Sequence, residues 1–457
     1  MTDLAQRLSD IVSADGVLAG GAISEDYTHD EALTAGHVVP DLVVRPATTA
    51  EVAGVLRSAN EQGIPVTARG SGTGLSGACV PKSRGIVLSM ERMNQILEID
   101  LENHVAVVQP GVTLDQLDEA TAPHGLICPI YPGESSASLG GNVATNAGGM
   151  RAVKYGVTRH QVLGLEAVLP TGEVIRSGGK FVKSTSGYDL TQLIIGSEGT
   201  LAVVTEVTLR LHPRLAYTSC VLAPFRSLRE VTGAVPTIVG SGLDPVILEY
   251  IDMMSMAATT ANVGLELGIP DEIRDAALAY LVVVMENSRA DRLDEDVAAV
   301  SELVLELGAM DVYVLPPHPT AQLLEAREKA FWVAKQNGAD DIIDVVVPRA
   351  SIPDYLERVA ELAQEHAALV AGAGHAGDGN VHLAIFQPDT EKRGELMRGI
   401  LAAGLELGGA ISAEHGIGSE KRPYFNELED PAKLALMRRL KAAFDPQGIL
   451  NPGTLFD

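Results

Sequence analysis

A glycine-rich loop directly after a short apolar strand limits the folds open to this chain of 457 residues. The loop, residues 69–77, matches the G-x-G-x-x-G spacing of dinucleotide-binding Rossmann domains. In those domains a helix starts at the loop, so that its N-terminus meets a pyrophosphate. Here three residues separate Gly77 from Pro81 and a strand at 85–89 follows, which leaves no room for that helix. The loop is therefore either an ordinary tight turn or a phosphate site built from backbone N–H groups alone.

Composition and charge exclude several classes of protein. The 46% hydrophobic and 21% charged residues are typical of a water-soluble folded protein, and the length predicts two or more domains. A net charge of −26 argues against nucleic-acid binding through phosphate neutralisation. Without an apolar run of ~18 residues or a leader-like pattern after Met1, we expect a cytoplasmic protein with no transmembrane segment. Cys79, Cys128 and Cys220 are too scattered for a disulfide framework and are expected to be small buried side chains.

Helical and strand patterns alternate along the chain, which predicts an α+β fold. Pro213 ends a long β-rich run, and we place a domain boundary there, giving units 1–213 and 214–410. Thr49 is the expected cap of the second helix. The predicted helices cover residues 4–12, 49–60, 113–124, 294–307, 353–369, 390–407 and 430–444. The predicted strands include a hairpin of residues 163–169 and 174–176, and the runs 201–211, 280–285 and 311–315.

A second glycine-dense stretch, residues 132–149, consists almost entirely of small residues. Such a segment lets the backbone approach a large flat ligand closely, because no side chains stand in the way. The alternative is a flexible surface loop. A linker would rarely combine two Gly-Gly pairs and two asparagines in so short a span, so we favour a ligand-binding segment.

Two short segments near the C-terminus carry the residue types of a divalent-metal site. His375 and His382 are separated by glycines that favour a turn, which can bring both imidazoles together. With Glu414 they form a set of two nitrogens and one oxygen, suited to zinc, manganese or iron. Asp378 is a weaker ligand candidate and is more simply a turn-stabilising residue. His415, next to Glu414, is the candidate base, although a capping or core histidine would look the same.

These stretches resemble the vanillyl-alcohol oxidase and p-cresol methylhydroxylase (PCMH) type of FAD-binding superfamily. The matching segments of the FAD-binding part are residues 69–74, 140–149, 196–201 and 451–453. The C-terminal half resembles the D-2-hydroxyacid dehydrogenase branch, which includes D-lactate dehydrogenase, the flavin subunit of glycolate oxidase and D-2-hydroxyglutarate dehydrogenase. The segments that carry this second resemblance are residues 375–382, 414–418 and 421–422.

The resemblance implies a two-part PCMH-type FAD-binding domain and an α+β substrate domain with an antiparallel sheet. Residues 411–457 would complete the active site and return to the FAD domain. No histidine lies between Arg69 and Gly77, so we expect non-covalent FAD. The residues expected to bind FAD are Arg69, Gly70, Ser71, Gly72, Thr73, Gly74, Pro132, Gly133, Ser135, Ser138, Gly140, Gly141, Asn142, Thr145, Gly148, Glu198 and Asn451.

The resemblance also implies a reaction. The metal would act as a Lewis acid on the hydroxyl of a 2-hydroxy acid, His415 would remove its proton, and the C2 hydride would pass to flavin N5, leaving a 2-oxo acid. Arg327 falls where the family places a guanidinium that binds the substrate carboxylate. The alternative is an ordinary charged side chain on the solvent-exposed face of a helix. Arg349 is a weaker second candidate.

The expected substrate is a short acid such as D-lactate or glycolate. Dicarboxylate-specific relatives carry a lysine before the strand that here spans 341–348, and an asparagine where this chain has Ala384. The alternatives are D-2-hydroxyglutarate, a metal-independent alcohol or sugar oxidase on the same scaffold, and a metal- or flavin-binding subunit without turnover of its own. Quinone, a cytochrome, an electron-transfer flavoprotein and oxygen are all open as acceptors, and the chain is compatible with a homodimer.

Overall fold

The N-terminal part of the chain is built on a small mixed sheet. The computed structural model describes residues 2–81 and 84–456, so the expected domain ends Met1 and Asp457 lie outside the described residues. The first elements are α1 (Thr2–Val12), β1 (Val17–Ala19), β2 (Leu42–Val44), α2 (Thr49–Gln62), β3 (Val66–Arg69) and β4 (Ile86–Ser89). β4 lies between β2 and β3, parallel to both, and β1 pairs antiparallel with β2. The glycine loop leads from β3 towards β4, and no helix occurs between them in the described residues.

A five-stranded antiparallel sheet follows, in the order β5-β6-β10-β8-β9. Its strands and the surrounding elements are β5 (Ile96–Asp100), β6 (Val105–Val108), α3 (Leu114–Thr121), β7 (Leu126–Ile127), α4 (Leu139–Thr145), α5 (Ala152–Tyr155), α6 (Thr158–Gln161), β8 (Val162–Val168), β9 (Val174–Gly178), α7 (Leu190–Ile194), β10 (Val203–Arg210) and β11 (His212–Pro213). β8 and β9 pair antiparallel, so the predicted hairpin is confirmed.

The C-terminal part is built on a seven-stranded sheet in the order β15-β12-β14-β13-β17-β18-β16, with every neighbouring pair antiparallel. Its elements are β12 (Tyr217–Phe225), α8 (Leu228–Gly240), β13 (Ile247–Asp252), α9 (Met253–Val263), α10 (Asp271–Ala276), β14 (Ala279–Asn287), α11 (Ala290–Glu306), β15 (Tyr313–Leu315), α12 (Pro317–Glu328), α13 (Ala330–Gln336), β16 (Asp341–Val346), α14 (Ile352–Glu365), β17 (Leu369–Gly374), β18 (Asn380–Phe386) and α15 (Thr390–Glu406). One face packs in a core with α8, α11, α14 and α15, and the other with α9 and α12. The predicted antiparallel sheet is confirmed.

The chain ends by returning to the first sheet after α16 (Arg422–Leu428) and α17 (Pro431–Phe444). The Val66 N–H donates to the Ile449 carbonyl at 2.8 Å, and the Asn451 N–H donates to the Val66 carbonyl at 2.7 Å. Ile449 and Leu450 are buried in the core of the first sheet. The expected return of the C-terminal segment is therefore confirmed, while 1–213, 214–410 and 411–457 remain proposed unit boundaries.

Three local predictions were wrong. Thr48, not Thr49, caps α2, because its hydroxyl accepts the Glu51 N–H at 3.2 Å while Thr49 lies inside the helix. The helix predicted for residues 353–369 ends at Glu365, and the next strand already begins at Leu369. The strand predicted for residues 311–315 begins two residues later than expected. Within the described residues, none of the helices has the length and apolarity that crossing a membrane requires.

Candidate active site

The two glycine stretches meet at one serine. Ser138 caps α4, and its hydroxyl oxygen accepts the N–H of Gly141 at 3.4 Å and that of Ser71 at 3.2 Å. A Cβ at Gly70 would lie 2.1 Å from the same oxygen, so the first loop needs glycine there to approach the second stretch. The sequence did not predict α4, because glycine is a poor helix former and only Ser138 indicated a helix start.

A cavity of about 200 Å³ lies between these stretches. It is lined by most of the residues expected to bind FAD, namely Arg69, Gly70, Ser71, Gly72, Thr73, Gly74, Pro132, Ser138, Gly140, Gly141, Asn142, Thr145, Glu198 and Asn451. Gly133 lines the neighbouring cavity instead, and Ser135 and Gly148 line neither. Arg69 is buried, and its Nη1 donates to the His29 carbonyl at 2.7 Å, so it braces the loop from behind.

The sequence prediction missed the part of this cavity wall formed by the start of β10. Ser197, Gly199 and residues 202–204 line the cavity there. The available signal was the Gly-Ser-Glu-Gly turn that precedes the strand, of which only Glu198 was selected. Residues 202–204 are hard to select this way, because their side chains follow an ordinary apolar pattern.

The two histidines and the glutamate predicted as metal ligands lie together. His375 directly follows β17, and His382 lies on β18 opposite Ala373. The Nε2 atoms of His375 and His382 are each 3.3 Å from the same Oε1 of Glu414. A short 3₁₀ turn over residues 376–378 joins the two strands, so the turn predicted from the glycines is confirmed.

Asp344 holds this group in place and was not predicted. It is fully buried, and its Oδ2 accepts the Ser412 hydroxyl at 2.7 Å and the backbone N–H groups of residues 413, 414 and 415 at 2.8–3.0 Å. Asp344, His382, Glu414 and His415 also offer ligand atoms within 4.8 Å of one another. Since the Asp344 oxygens are already engaged by these donors and by Asn380, we assign Asp344 to positioning rather than to metal binding.

The charge distribution fits a divalent cation. Burial alone would lower the pKa of His375, but Glu249 and Glu414 on its two sides raise it to about 10. Nδ1 of His375 is 2.6 Å from Oε1 of Glu249, which is itself fully buried. His382 Nε2 is buried and faces Oε1 of Glu414 at 3.3 Å without the geometry of a hydrogen bond. Two buried carboxylates thus attract positive charge beside two imidazoles that converge on one carboxylate oxygen, as a two-histidine, one-carboxylate metal site requires.

His415 lies where the cavity between the two glycine stretches meets a second cavity of about 470 Å³. The two cavities share Thr73, Leu75, Pro132, Glu134, Glu414 and His415. Burial lowers the pKa of His415 to about 4, against the opposing effect of Asp344. The imidazole is therefore neutral near pH 7 and able to accept a proton.

Of the two arginines predicted to bind substrate, only one reaches the site. Arg327 lines the second cavity, 9% exposed, and its Nη2 is 2.9 Å from Oε2 of Glu249. Its Nε is buried and donates no hydrogen bond to any described residue. Arg349 is exposed, lies in the turn after β16 and lines neither cavity, so the weaker candidate does not reach the site. Asp378 is likewise absent from both cavity linings.

Comparison with known proteins agrees with this geometry. Residues 214–455 match the family model for the C-terminal domain of FAD linked oxidases, and residues 40–178 match an FAD binding domain. The chain is 59% identical over 456 residues to an uncharacterized FAD-linked oxidoreductase of Mycobacterium tuberculosis, covering 100% of this chain and 99% of the relative. It is 39% identical to a D-lactate dehydrogenase of Anaerostipes hadrus, covering 96% and 94%. The solved structure of p-cresol methylhydroxylase matches with a TM-score of 0.80 at 18% identity, covering 100% and 97%, which confirms the expected fold.

Proposed function

This chain belongs to the FAD-linked oxidase family, and we propose that it oxidises a D-2-hydroxy acid to the corresponding 2-oxo acid. The observation that carries the proposal is the convergence of His375, His382 and Glu414 at the second cavity, beside His415, where Glu414 and His415 also line the first. A flavin cavity alone suits many oxidations. A divalent-metal donor set facing it suits a substrate with adjacent hydroxyl and carboxylate oxygens. The D-lactate dehydrogenase relative supports D-lactate as the reference substrate.

The residues around the two cavities would bind two different cofactors. Non-covalent FAD would supply the hydride acceptor, and a zinc, manganese or iron ion held by His375, His382 and Glu414 would supply a Lewis acid for the substrate hydroxyl. The two glycine stretches, with Glu198 and Asn451, would hold the flavin nucleotide. Backbone contacts suit this task, because the stretches leave room for a large flat ligand.

His415 takes the role of general base. Its imidazole is neutral near pH 7 and faces the boundary of the cavities, so it can accept the proton of the substrate hydroxyl. Asp344 lies close enough to stabilise the imidazolium that this transfer produces, since its charge favours protonated His415. The carboxylate thus orients the loop that carries the base and balances its charge.

Arg327 takes the role of carboxylate anchor. Its ion pair with Glu249 fixes the guanidinium at the wall of the second cavity, and a guanidinium in that position can pair with a carboxylate. Glu249 also contacts His375, so one buried carboxylate links the substrate anchor to a proposed metal ligand. This arrangement would set the distance between the substrate carboxylate and the hydroxyl that loses its proton.

Anaerobic mixing of the flavoprotein with D-lactate tests the proposal. We expect the flavin absorbance to bleach, and we expect His415→Ala or prior chelation to slow bleaching at least ~100-fold, within the range that a general base contributes. The exposed His318→Ala provides a matched histidine control. Bleaching that survives chelation would favour a metal-independent oxidase, and an unreactive flavin with every 2-hydroxy acid would refute the proposal.

A further inference from the structure

The second cavity continues well beyond the histidines along one face of the seven-stranded sheet. His382, Ala384 and Phe386 alternate on β18 and therefore share a face. The strand register places Ala371 and Ile342 beside Ala384, and Leu369 beside Phe386. All of these residues line the cavity. We call the following set the apolar floor: Ile342, Leu369, Ala371, Ala384 and Phe386.

The apolar floor is long and has an apolar roof. Phe386 lies four positions after His382, a span of roughly 13 Å at ~3.4 Å per residue. Met254 on α9, with Phe331 and Trp332 on α13, lines the opposite side of the same cavity. Ala371 and Ala384 are small, so the space between floor and roof stays open. The volume of about 470 Å³ falls in the range of sites for larger ligands and far exceeds the needs of lactate.

The charges around this extension disfavour a second carboxylate. Among the described residues that line the cavity, Arg327 is the only lysine or arginine, and it lies at the histidine end, paired with Glu249. The other charged lining residues include Glu31 and Glu328. Lys335, whose Nζ is 5.2 Å from the Trp332 ring centroid, does not line the cavity and is already paired with Glu31 at 2.7 Å. A dicarboxylic substrate would therefore bring its distal carboxylate among apolar side chains and Glu328, and could gain a cation only by breaking the Lys335–Glu31 pair.

We infer that the substrate is a 2-hydroxy monocarboxylic acid whose C2 substituent is an extended apolar chain lying on the apolar floor. The inference rests on the proposed function, which fixes the carboxylate at Arg327 and C2 beside the histidines. D-lactate then occupies only the start of the cavity. Each methylene added to the chain buries apolar surface, worth about 0.8 kcal/mol or roughly a fourfold gain in kcat/KM.

A chain-length series on the holoenzyme tests this inference. We expect kcat/KM for flavin reduction to rise from D-lactate to D-2-hydroxyoctanoate by at least a hundredfold, since five methylenes are added at roughly fourfold each. D-2-hydroxyglutarate should react more slowly than D-lactate. Equal rates along the series, or a preference for the dicarboxylate, would overturn the inference while leaving the proposed function intact.

The single tryptophan of the chain, Trp332, provides a binding readout that does not depend on turnover. Since it lines the far part of the cavity, 2-oxooctanoate should change its fluorescence saturably in the oxidised holoenzyme, whereas pyruvate should not. If no 2-hydroxy acid reduces the flavin, the proposed function fails, but the fluorescence titration still shows whether the cavity binds apolar chains. An unchanged fluorescence with 2-oxooctanoate would refute the inference.

A variant that fills the cavity completes the test. Ala384→Phe should lower kcat/KM for D-2-hydroxyoctanoate at least tenfold more than for D-lactate, because the new ring occupies the floor one step beyond His382. Leu436→Ser, on the half-exposed surface of α17, is a control that should leave the chain-length profile unchanged. FAD content and the Trp332 emission spectrum establish that each variant folds. If kcat/KM falls equally for D-2-hydroxyoctanoate and D-lactate, the apolar chain of the substrate does not lie on the apolar floor.

Discussion

Asp344→Asn is the sharpest test of how the candidate active site is held together. The carboxylate is fully buried, and one of its oxygens accepts three consecutive backbone N–H groups, residues 413–415, and the Ser412 hydroxyl. Its other oxygen accepts the Asn380 amide at 2.9 Å. An amide at position 344 has one oxygen and one NH₂ group. In either orientation its NH₂ therefore faces donors, so the change cannot be neutral.

The cost follows from these contacts. Removing the charge weakens each charge-assisted bond to the backbone by about 1 kcal/mol, and one buried donor left facing another adds about 1–3 kcal/mol. Keeping the amide oxygen towards residues 413–415 leaves its NH₂ against Asn380, which is the less costly orientation. The sum is about 4–6 kcal/mol, and its lower end of about 4 kcal/mol, taken here, agrees with the 3–5 kcal/mol typical of breaking a buried charged interaction. The local stability of the segment that carries Glu414 and His415 should fall by that amount.

Hydrogen exchange measures this loss where it occurs. About 4 kcal/mol corresponds to roughly a thousandfold faster exchange of the amides of residues 413–415 if they open locally. Flavin reduction by D-lactate should slow at least ~100-fold, because His415 loses its fixed position. FAD content should change little, since none of the affected donors comes from the glycine stretches.

The double variant Asp344→Asn/Asn380→Asp provides the matched control. With the two groups exchanged, the amide of residue 344 can donate to the carboxylate of residue 380 while its oxygen still faces residues 413–415. The rescue is partial, because the bond from the Asn380 amide to the Val345 carbonyl at 3.1 Å is lost. We expect exchange to slow by at least tenfold relative to the single variant. If the single variant exchanges within tenfold of wild type, or the double variant is no better, the role assigned to Asp344 is wrong.

Three further predictions concern the surroundings of the site. In Gly148→Ala the new Cβ would lie 2.6 Å from Oε2 of Glu414, so metal affinity should fall ~10–100-fold by equilibrium dialysis without loss of FAD. Arg327→Lys keeps the charge but loses the planar fork that pairs with Glu249, so KM for D-lactate should rise more than kcat falls in steady-state kinetics; a pure kcat effect would contradict a carboxylate anchor. Burial raises the pKa of Glu198 from 4.5 to about 7, so its contribution to folding is present below pH 4.5 and is lost as the pH rises through 7. In urea melts of the apoprotein, the free energy of unfolding of Glu198→Gln should rise by about 3 kcal/mol relative to wild type over that pH range. If the free energies of the two proteins change in parallel with pH, the raised pKa of Glu198 is refuted.

The ligand-bearing parts of the site could be predicted because their sequence signals are local. The turn between His375 and His382 requires glycine, and Gly379 adopts a left-handed φ of 84° there. The strand β18, which the sequence analysis did not predict, places His382 on the same face as Ala384 and Phe386. The two glycine-rich stretches, like the turn, could be recognised from their composition. Each of these two features depends only on residues that are close together in the chain, so a single sequence is enough to recognise it.

The supporting carboxylates could not be placed, although the sequence carried a signal for them. Glu249 and Asp344 lie inside largely apolar strands, each of which has a second acidic residue at one end, and both are almost completely inaccessible. A carboxylate in a buried strand must have partners, because an isolated buried charge is too costly. The partners of Glu249 are Arg327 and His375, which are 78 and 126 residues away. Such pairings are set by the tertiary fold, so the sequence shows the need for a partner but not its identity.

The segment that carries the proposed base is fixed from both domains. Asp344, from the seven-stranded sheet, binds the backbone N–H groups of residues 413–415. Glu198, from the flavin cavity, accepts the N–H groups of Ile417 and Gly418 at 2.8 and 2.7 Å. A Cβ at Gly416 would lie 3.0 Å from the Glu198 carboxyl carbon, so the segment approaches Glu198 closely. Because one short segment spans both anchors, a shift of the flavin-side anchor must move the base, and loss of FAD should therefore loosen the site at which the hydroxy acid reacts.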